Sequence, residues 1–178
     1  MLVDDGGRPI GSAAKADVHH ADTPLHLAFS CYVFDANGAF LVTRRALTKR
    51  VWPGVWTNSV CGHPGEGEAI EDVIRRRARF ELGADVVDLR PALPTYSYRA
   101  PPFRGIVEHE FCPVYVGRAR GEPQPSPAEV DEYGWIAWDE FVAAAEADTA
   151  DEYSWWCKDQ LRQLKGHPLI AQYSRPAA

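Results

Sequence analysis

No apolar run in this 178-residue chain approaches the roughly 18 residues needed to cross a bilayer. There is no excess of basic charge either. The formal net charge is −6, and affinity for a phosphate backbone needs a positive surface, which argues against a general nucleic-acid binder. A CxxC pair is missing as well. Cys31, Cys61, Cys112 and Cys157 stand far apart, which removes a zinc knuckle and a thioredoxin-like motif. Where a signal peptide would place a basic start and an apolar core, the N-terminus has Asp4, Asp5 and Gly6-Gly7, so a cytoplasmic protein with reduced thiols is the expectation. No internal repeat and no low-complexity tract breaks the chain. What remains is the composition of an ordinary globular protein, 46% hydrophobic and 25% charged, in a length that suits one domain with a real core.

Residues 1–24 are polar and turn-rich and read as a small hairpin or N-terminal arm. A first strand is expected over Leu25 to Phe34, closed by the turn Asp35-Ala36-Asn37-Gly38, with Ala39 to Thr43 as its antiparallel partner. Residues 45–56 form a loop of bases and aromatics. The spacing of Ile70, Val73, Ile74 and Ala78 predicts a helix over Glu68 to Leu82, with Gly83 as its C-terminal cap. Strands are expected within Val86 to Arg99, along Gly105 to Val116 and over Glu132 to Trp138, with loops at 100–104 and 117–128. Two helical segments follow, about 139–147 and 151–165. Strands and helices in this order give an α/β (α+β) sandwich.

Two stretches carry chemistry. In Thr57-Asn58-Ser59-Val60-Cys61-Gly62-His63-Pro64 a thiol that can exchange a proton lies two residues from an imidazole that can hold a metal. In Ile106-Val107-Glu108-His109-Glu110-Phe111-Cys112 the strand alternation puts Glu108 and Glu110 on one face, about 7 Å apart. Ile106, Cys112 and Val114 share that face, so it points inward. Two buried carboxylates repel, and either one is protonated or both share a cation. His26, His63 and either His19 or His20 would complete an N3O2 shell, suited to Mn, Zn or Fe rather than Ca or a hydrated Mg. His109 points to the opposite strand face, and His167 reads as a surface residue. Arg77 and Glu81 are spaced for an i,i+4 ion pair on the helix stripe.

In its longest motifs the chain resembles the type I isopentenyl-diphosphate Δ-isomerases, a branch of the Nudix-fold superfamily. The matching stretches are Leu25-His26-Leu27-Ala28-Phe29-Ser30, Leu41-Val42-Thr43-Arg44-Arg45, the run from Trp52-Pro53-Gly54-Val55-Trp56 to Cys61-Gly62-His63-Pro64, and Gly105-Ile106-Val107-Glu108-His109-Glu110. They stand in the family's order and spacing, and the similarity covers nearly everything from about Lys15 to the last helix. A second signature is an altered Nudix box. Gly62, Glu68, Arg76, Glu81 and Gly83 keep its spacing, while Arg77 and Phe80 stand where two of its glutamates would be. Nudix hydrolases use those carboxylates to gather Mg²⁺ and activate water, so a hydrolase is the lesser alternative, beside a non-catalytic metal-binding module.

The resemblance implies a single Nudix-type mixed-sheet sandwich flanked by helices, over residues 1–178 with 1–24 as the arm. It also implies conversion of isopentenyl diphosphate to dimethylallyl diphosphate through a tertiary carbocation. It gives Cys61 and Glu110 the proton transfers, with Tyr98 as the partner of Glu110. Trp156 is given the face toward the cation, with Trp155 its neighbouring alternative. His19, His26, His63, Glu108 and Glu110 are implied as ligands of one divalent metal (Mn, Zn or Mg), His19 being favoured over His20 by its interval to His26. Cys61 and Glu81 are implied to take one Mg²⁺ that arrives with the diphosphate, and Lys15, Arg45, Lys49 and Arg77 to clamp that diphosphate. The expected partner is a small-molecule substrate alone, with no nucleic acid, no membrane and a monomeric protein.

Overall fold

Two mixed sheets form the frame of the computed structural model, which describes residues 1–14, 18 and 20–177. The smaller sheet has the order β2 (Pro9–Gly11), β1 (Leu2–Val3), β3 (His26–Leu27), β10 (His109–Phe111), β9 (Ser97–Arg99). The larger has the order β12 (Val130–Ile136), β5 (Phe40–Arg45), β4 (Phe29–Phe34), β11 (Val114–Arg120), β8 (Asp85–Leu93). Short β6 (Trp56–Thr57) pairs with β5, and β7 (Val60–Gly62) pairs with β4.

Two of the expected strands are broken. The stretch Leu25 to Phe34 is interrupted at Ala28, and Gly105 to Val116, which becomes strand only from His109, at Cys112-Pro113, so that each serves first the small sheet and then the large one. They cross together. β3 pairs parallel with β10, and β4 parallel with β11. At the crossing Ala28 N–H donates to Phe111 O (2.9 Å) and Ser30 N–H to Pro113 O (3.2 Å), while Pro113 has no N–H for a continuous ladder. β11 also runs on to Arg120, into residues expected as loop, and the last strand begins at Val130 rather than Glu132.

The large sheet buries both faces. Phe29, Cys31 and Val33 of β4 meet Val73, Ile74, Ala78 and Leu82 of helix α1 (Ile70–Leu82), the amphipathic stripe read from the sequence. Gly83 ends that helix at φ 59°, its N–H donating to Arg79 O. The intervening β4 residues Tyr32 and Phe34 pack on the other side against α2 (Trp138–Ala147), α3 (Trp155–Leu164) and α4 (Pro168–Tyr173). α4 was not expected. It is a six-residue helix, and His167, read as a surface residue, is half-buried and caps it by accepting from Leu169 N–H (3.3 Å). Among the described residues no helix is long and apolar enough to cross a membrane.

The Asp35–Gly38 turn is closed against the C-terminal segment. Gly38 has φ 92°, and a Cβ there would lie 2.5 Å from the Ser174 carbonyl carbon. Backbone cannot move aside as a side-chain tip can, so Gly38→Ala is expected to cost about 2 kcal/mol. Urea unfolding checks this. The midpoint should fall with the slope unchanged, and an unmoved midpoint would contradict the packing described.

Candidate active site

The small sheet sets three site residues in a row. Across parallel β3 and β10, Glu110 is paired with His26; across antiparallel β10 and β9, it is paired with Tyr98. His63 follows β7 and reaches the same carboxylate, its Nε2 2.9 Å from Glu110 Oε1. His26 Nε2 stands 3.6 Å from that oxygen, and the two imidazoles stack at 5.1 Å. The Pro24 carbonyl accepts from His26 Nδ1–H at 3.0 Å, which leaves Nε2 as the atom turned toward the carboxylate. The Tyr98 hydroxyl bridges Glu110 Oε2 (2.9 Å) and Glu108 Oε2 (3.1 Å).

The electrostatics divide the two carboxylates. Burial and the neighbouring charge of Glu110 push Glu108 up. Burial would also raise Glu110, but the imidazoles of His26 and His63 outweigh it and hold Glu110 low. His26 loses by burial and gains more from Glu110, so its pKa is raised. One carboxyl of the pair thus tends to keep a proton while the other stays ionised, as expected for like charges sharing a buried site. One ligand atom from each of His26, His63 and Glu110 lies within 4.8 Å of the others, an N2O donor set that fits a divalent ion.

Glu108, Glu110, Tyr98 and His63 line a cavity of about 690 Å³, a size that suits a small organic substrate. Cys61, Asn58, Ser30 and Trp156 line it too, as do five basic residues: Arg45, Lys49, Arg50, Arg76 and Arg77. Cys61 lies opposite Ser30 in the β7–β4 register, its Sγ 3.5 Å from Ser30 Oγ. Enclosure pushes its thiol up, against the lowering effect of hydrogen bonds with Ser30 and Asn58. Cys61 is thus held in its thiol form. Arg45 is anchored by donating to Trp52 O and Val51 O, both at 3.0 Å, and its guanidinium carbon stands 5.6 Å over the Trp156 ring. Arg77 pairs with Glu81, whose carboxyl is pushed up by burial in spite of that arginine.

The NUDIX domain family matches residues 24–157. An isopentenyl-diphosphate Delta-isomerase of Mycolicibacterium vanbaalenii is 53% identical over 164 residues, covering 92% of this chain and 90% of that protein. The enzyme of the same name from Frankia alni is 52% identical over 173 residues, covering 96% and 89%. The chain belongs to the Nudix domain family and to the isopentenyl-diphosphate Delta-isomerases. Among solved structures it is similar to DR0079 from Deinococcus radiodurans, at TM-score 0.69 and 21% identity over 90% of this chain and 95% of that one. It is also similar to a MutT protein from Methanosarcina mazei, at TM-score 0.63 and 16% identity over 82% and 96%. At these identities the likeness is one of fold.

Most of the residues expected from the isomerase resemblance come together. Cys61, Tyr98, Glu108, Glu110, His63, Glu81, Arg45, Lys49, Arg77 and Trp156 line the one cavity, and His26 adjoins it through Glu110. Lys15 and His19 lie outside the described residues. His20 is exposed and is not in the converged group; its Nδ1 accepts from Asp22 N–H at 3.1 Å. Trp155 is half-buried and stacks on Tyr98 at 5.8 Å without lining the cavity, whereas Trp156 is buried and lines it. His109 faces away, with Nδ1 3.2 Å from Thr23 O. Sequence reasoning missed Glu129, which pairs with Lys49 and with Arg77 (3.2 Å) at the basic end. Its place beyond a Gly/Pro-rich loop left no periodic signal to find it by.

Proposed function

We propose that this isomerase converts isopentenyl diphosphate to dimethylallyl diphosphate by adding a proton at one end of the alkene and removing one at the other side. The observation that carries the reading is a single cavity lined by a thiol, a carboxylate cluster, a tryptophan and a basic mouth. The diphosphate binds at that mouth, on Arg45, Lys49 and Arg77 with Lys15, through charge-assisted hydrogen bonds. Its isoprenyl end then lies toward Cys61, Glu110 and Trp156.

The π pair of the terminal methylene takes a proton, a C–H bond forms there, and the adjoining carbon becomes a tertiary cation. A neighbouring C–H bond breaks, its pair closes the new C=C bond, and the released proton passes to a base. Cys61 serves one transfer and Glu110 the other, and the roles exchange between the forward and reverse directions. Tyr98 and Glu108 hold the proton inventory on the Glu110 side, since one hydroxyl bridges both carboxylates. The Trp156 ring faces the cation, an interaction of about 2 kcal/mol in a dry site. A divalent ion (Mn, Zn or Mg) on His26, His63 and Glu110, with His19 and Glu108, would supply a fixed positive charge that keeps Glu110 ionised and oriented. A Mg²⁺ that comes with the diphosphate would be taken near Glu81 and Cys61. Water-activating hydrolysis is disfavoured because Arg77 and Phe80 occupy two box positions, Arg77 is paired to Glu81, and the Phe80 side chain is exposed. The chain acts as one domain with an N-terminal arm, a cytoplasmic monomer that needs no nucleic acid or membrane.

Incubation with isopentenyl diphosphate and Mg²⁺ in D₂O, followed by NMR, tests the reading. Dimethylallyl signals with deuterium uptake are expected. A folded, metal-loaded protein that gives neither would overturn it, and phosphate release from nucleoside diphosphates would return the hydrolase alternative.

A further inference from the structure

Behind Cys61 lies a set of buried polar side chains that the proton transfers do not use. Asn58 is its centre, with 0% of its surface exposed. Its Nδ2 donates to Val60 O (3.0 Å) and Cys61 Sγ (3.1 Å) and reaches Cys31 O at 3.3 Å. Backbone carbonyls only accept, so the amide orientation is fixed with its NH₂ toward them and its oxygen on the other side. There Oδ1 accepts from Trp156 Nε1–H (3.2 Å), a donor that can do nothing else, and from the Thr57 hydroxyl (3.0 Å). The Cys61 thiol can also donate to it, at 3.3 Å.

The same residues fasten the tryptophan's helix to the cysteine's strand. Ser154, at the N-cap of α3, makes no side-chain cap hydrogen bond, and its hydroxyl instead lies 2.8 Å from that of Thr57. Ser154 N–H donates to Trp56 O (2.8 Å), and Trp56 N–H to Glu152 O (2.7 Å). A second chain reaches the sulfur from behind. The Tyr32 hydroxyl donates to Gln160 Oε1 (2.9 Å), and Gln160 Nε2 donates to Ser30 Oγ (3.0 Å), which is in contact with Cys61.

We propose that Asn58 is a positioning residue that holds the Cys61 thiol and the Trp156 indole in one frame, through a donor on the sulfur and a shared acceptor on both. This rests on the roles given above to Cys61 and Trp156. The requirement is specific to an amide. A sulfur carrying its proton donates to Oδ1, and a sulfur that has passed its proton on accepts from Nδ2–H, so Cys61 keeps a partner in both states. Aspartate would keep the acceptor and lose the donor. Leucine, of similar volume, would lose both and leave the indole N–H buried without a partner.

The test compares wild type, Asn58→Asp and Asn58→Leu in metal-loaded protein by steady-state kinetics and by the ¹⁵N–¹H indole resonance of Trp156, assigned by its loss in Trp156→Phe. Asn58→Leu should lower kcat by about 100-fold with KM within about 3-fold, and should move the indole signal upfield. Asn58→Asp should keep the hydrogen-bonded indole signal and still lose at least about 10-fold in kcat, because the sulfur has lost its donor. That split separates positioning from a loss of folded protein, and Asn58→Asp serves where the leucine variant does not fold. Wild-type kcat in Asn58→Asp, or an unmoved indole signal in folded Asn58→Leu, overturns the proposal. If wild type itself gives no product, the assigned activity falls, and the indole signal alone decides whether Asn58 holds Trp156.

Discussion

Cys61→Ala and Glu110→Gln should each remove turnover of isopentenyl diphosphate, by about 1,000-fold or more in kcat, while the fold stays intact. The size follows from the reaction. An alkene has no lone pair and no acidic C–H, so neither transfer has a substitute in bulk water, and a positioned acid or base is worth about 10²–10⁴ in rate. The fold is spared for separate reasons. Alanine suits the β7 position, and loss of Sγ orphans no buried group. Asn58 Nδ2 keeps the Val60 carbonyl, and its Oδ1 keeps Trp156 and Thr57. In Glu110→Gln the shape is kept and an amide oxygen can still accept from Tyr98, but the charge that holds His26 and His63 is gone. Steady-state rates with circular dichroism on the same samples check both variants. Either one within about 10-fold of the wild-type rate would remove that residue from its role.

The convergence of these residues is partly legible in the sequence. Glu108 and Glu110 were read as sharing an inward face from the alternation of Ile106, Cys112 and Val114, and the shared Tyr98 hydroxyl bears this out. Helix α1 was legible because four apolar residues and one glycine agree on it. The breaks at Ala28 and Cys112-Pro113 were not, since apolar residues continue through both and a period of two looks the same before and after a strand changes sheets. Those breaks bring His26 beside Glu110 and Ser30 beside Cys61, so the site depends on the feature that periodicity hides. Helix α4 is too short for a periodic signal. Arg77 illustrates a different limit. Its pairing with Glu81 was read from the spacing, but its contact with Glu129 joins residues 52 positions apart. Asn58 was illegible for the same reason, because its decisive partner, Trp156, lies 98 residues away.

Binding a divalent ion at His26, His63 and Glu110 should raise thermal stability, and by more at alkaline than at acid pH. In ion-free protein the cluster is held by its own charges. Glu110 is depressed below its ordinary 4.5, so its contribution is present above that value and is lost as the pH falls through its folded pKa. His26 is raised above 6.5, so its contribution is present below that value and is lost as the pH rises through its folded pKa. The ion-free cluster therefore stabilises most between the two and weakens as the pH rises through the raised His26 pKa. An ion reverses the trend, because it needs a deprotonated imidazole nitrogen and must displace the proton that Glu110 keeps on His26. Each pH unit below the raised His26 pKa costs the ion up to about 1.4 kcal/mol for that one proton. With Mn²⁺ or Zn²⁺ at 1,000 times its dissociation constant the gain is about 4 kcal/mol, or about 8–16 °C in Tm for a chain of this size. Melting at about pH 6 and about pH 8, with ion and with chelator, reads the difference directly. The ion-induced shift should be larger at the higher pH and should collapse in His26→Leu. An equal shift at both pH values, or one that survives in His26→Leu, would place the ion elsewhere.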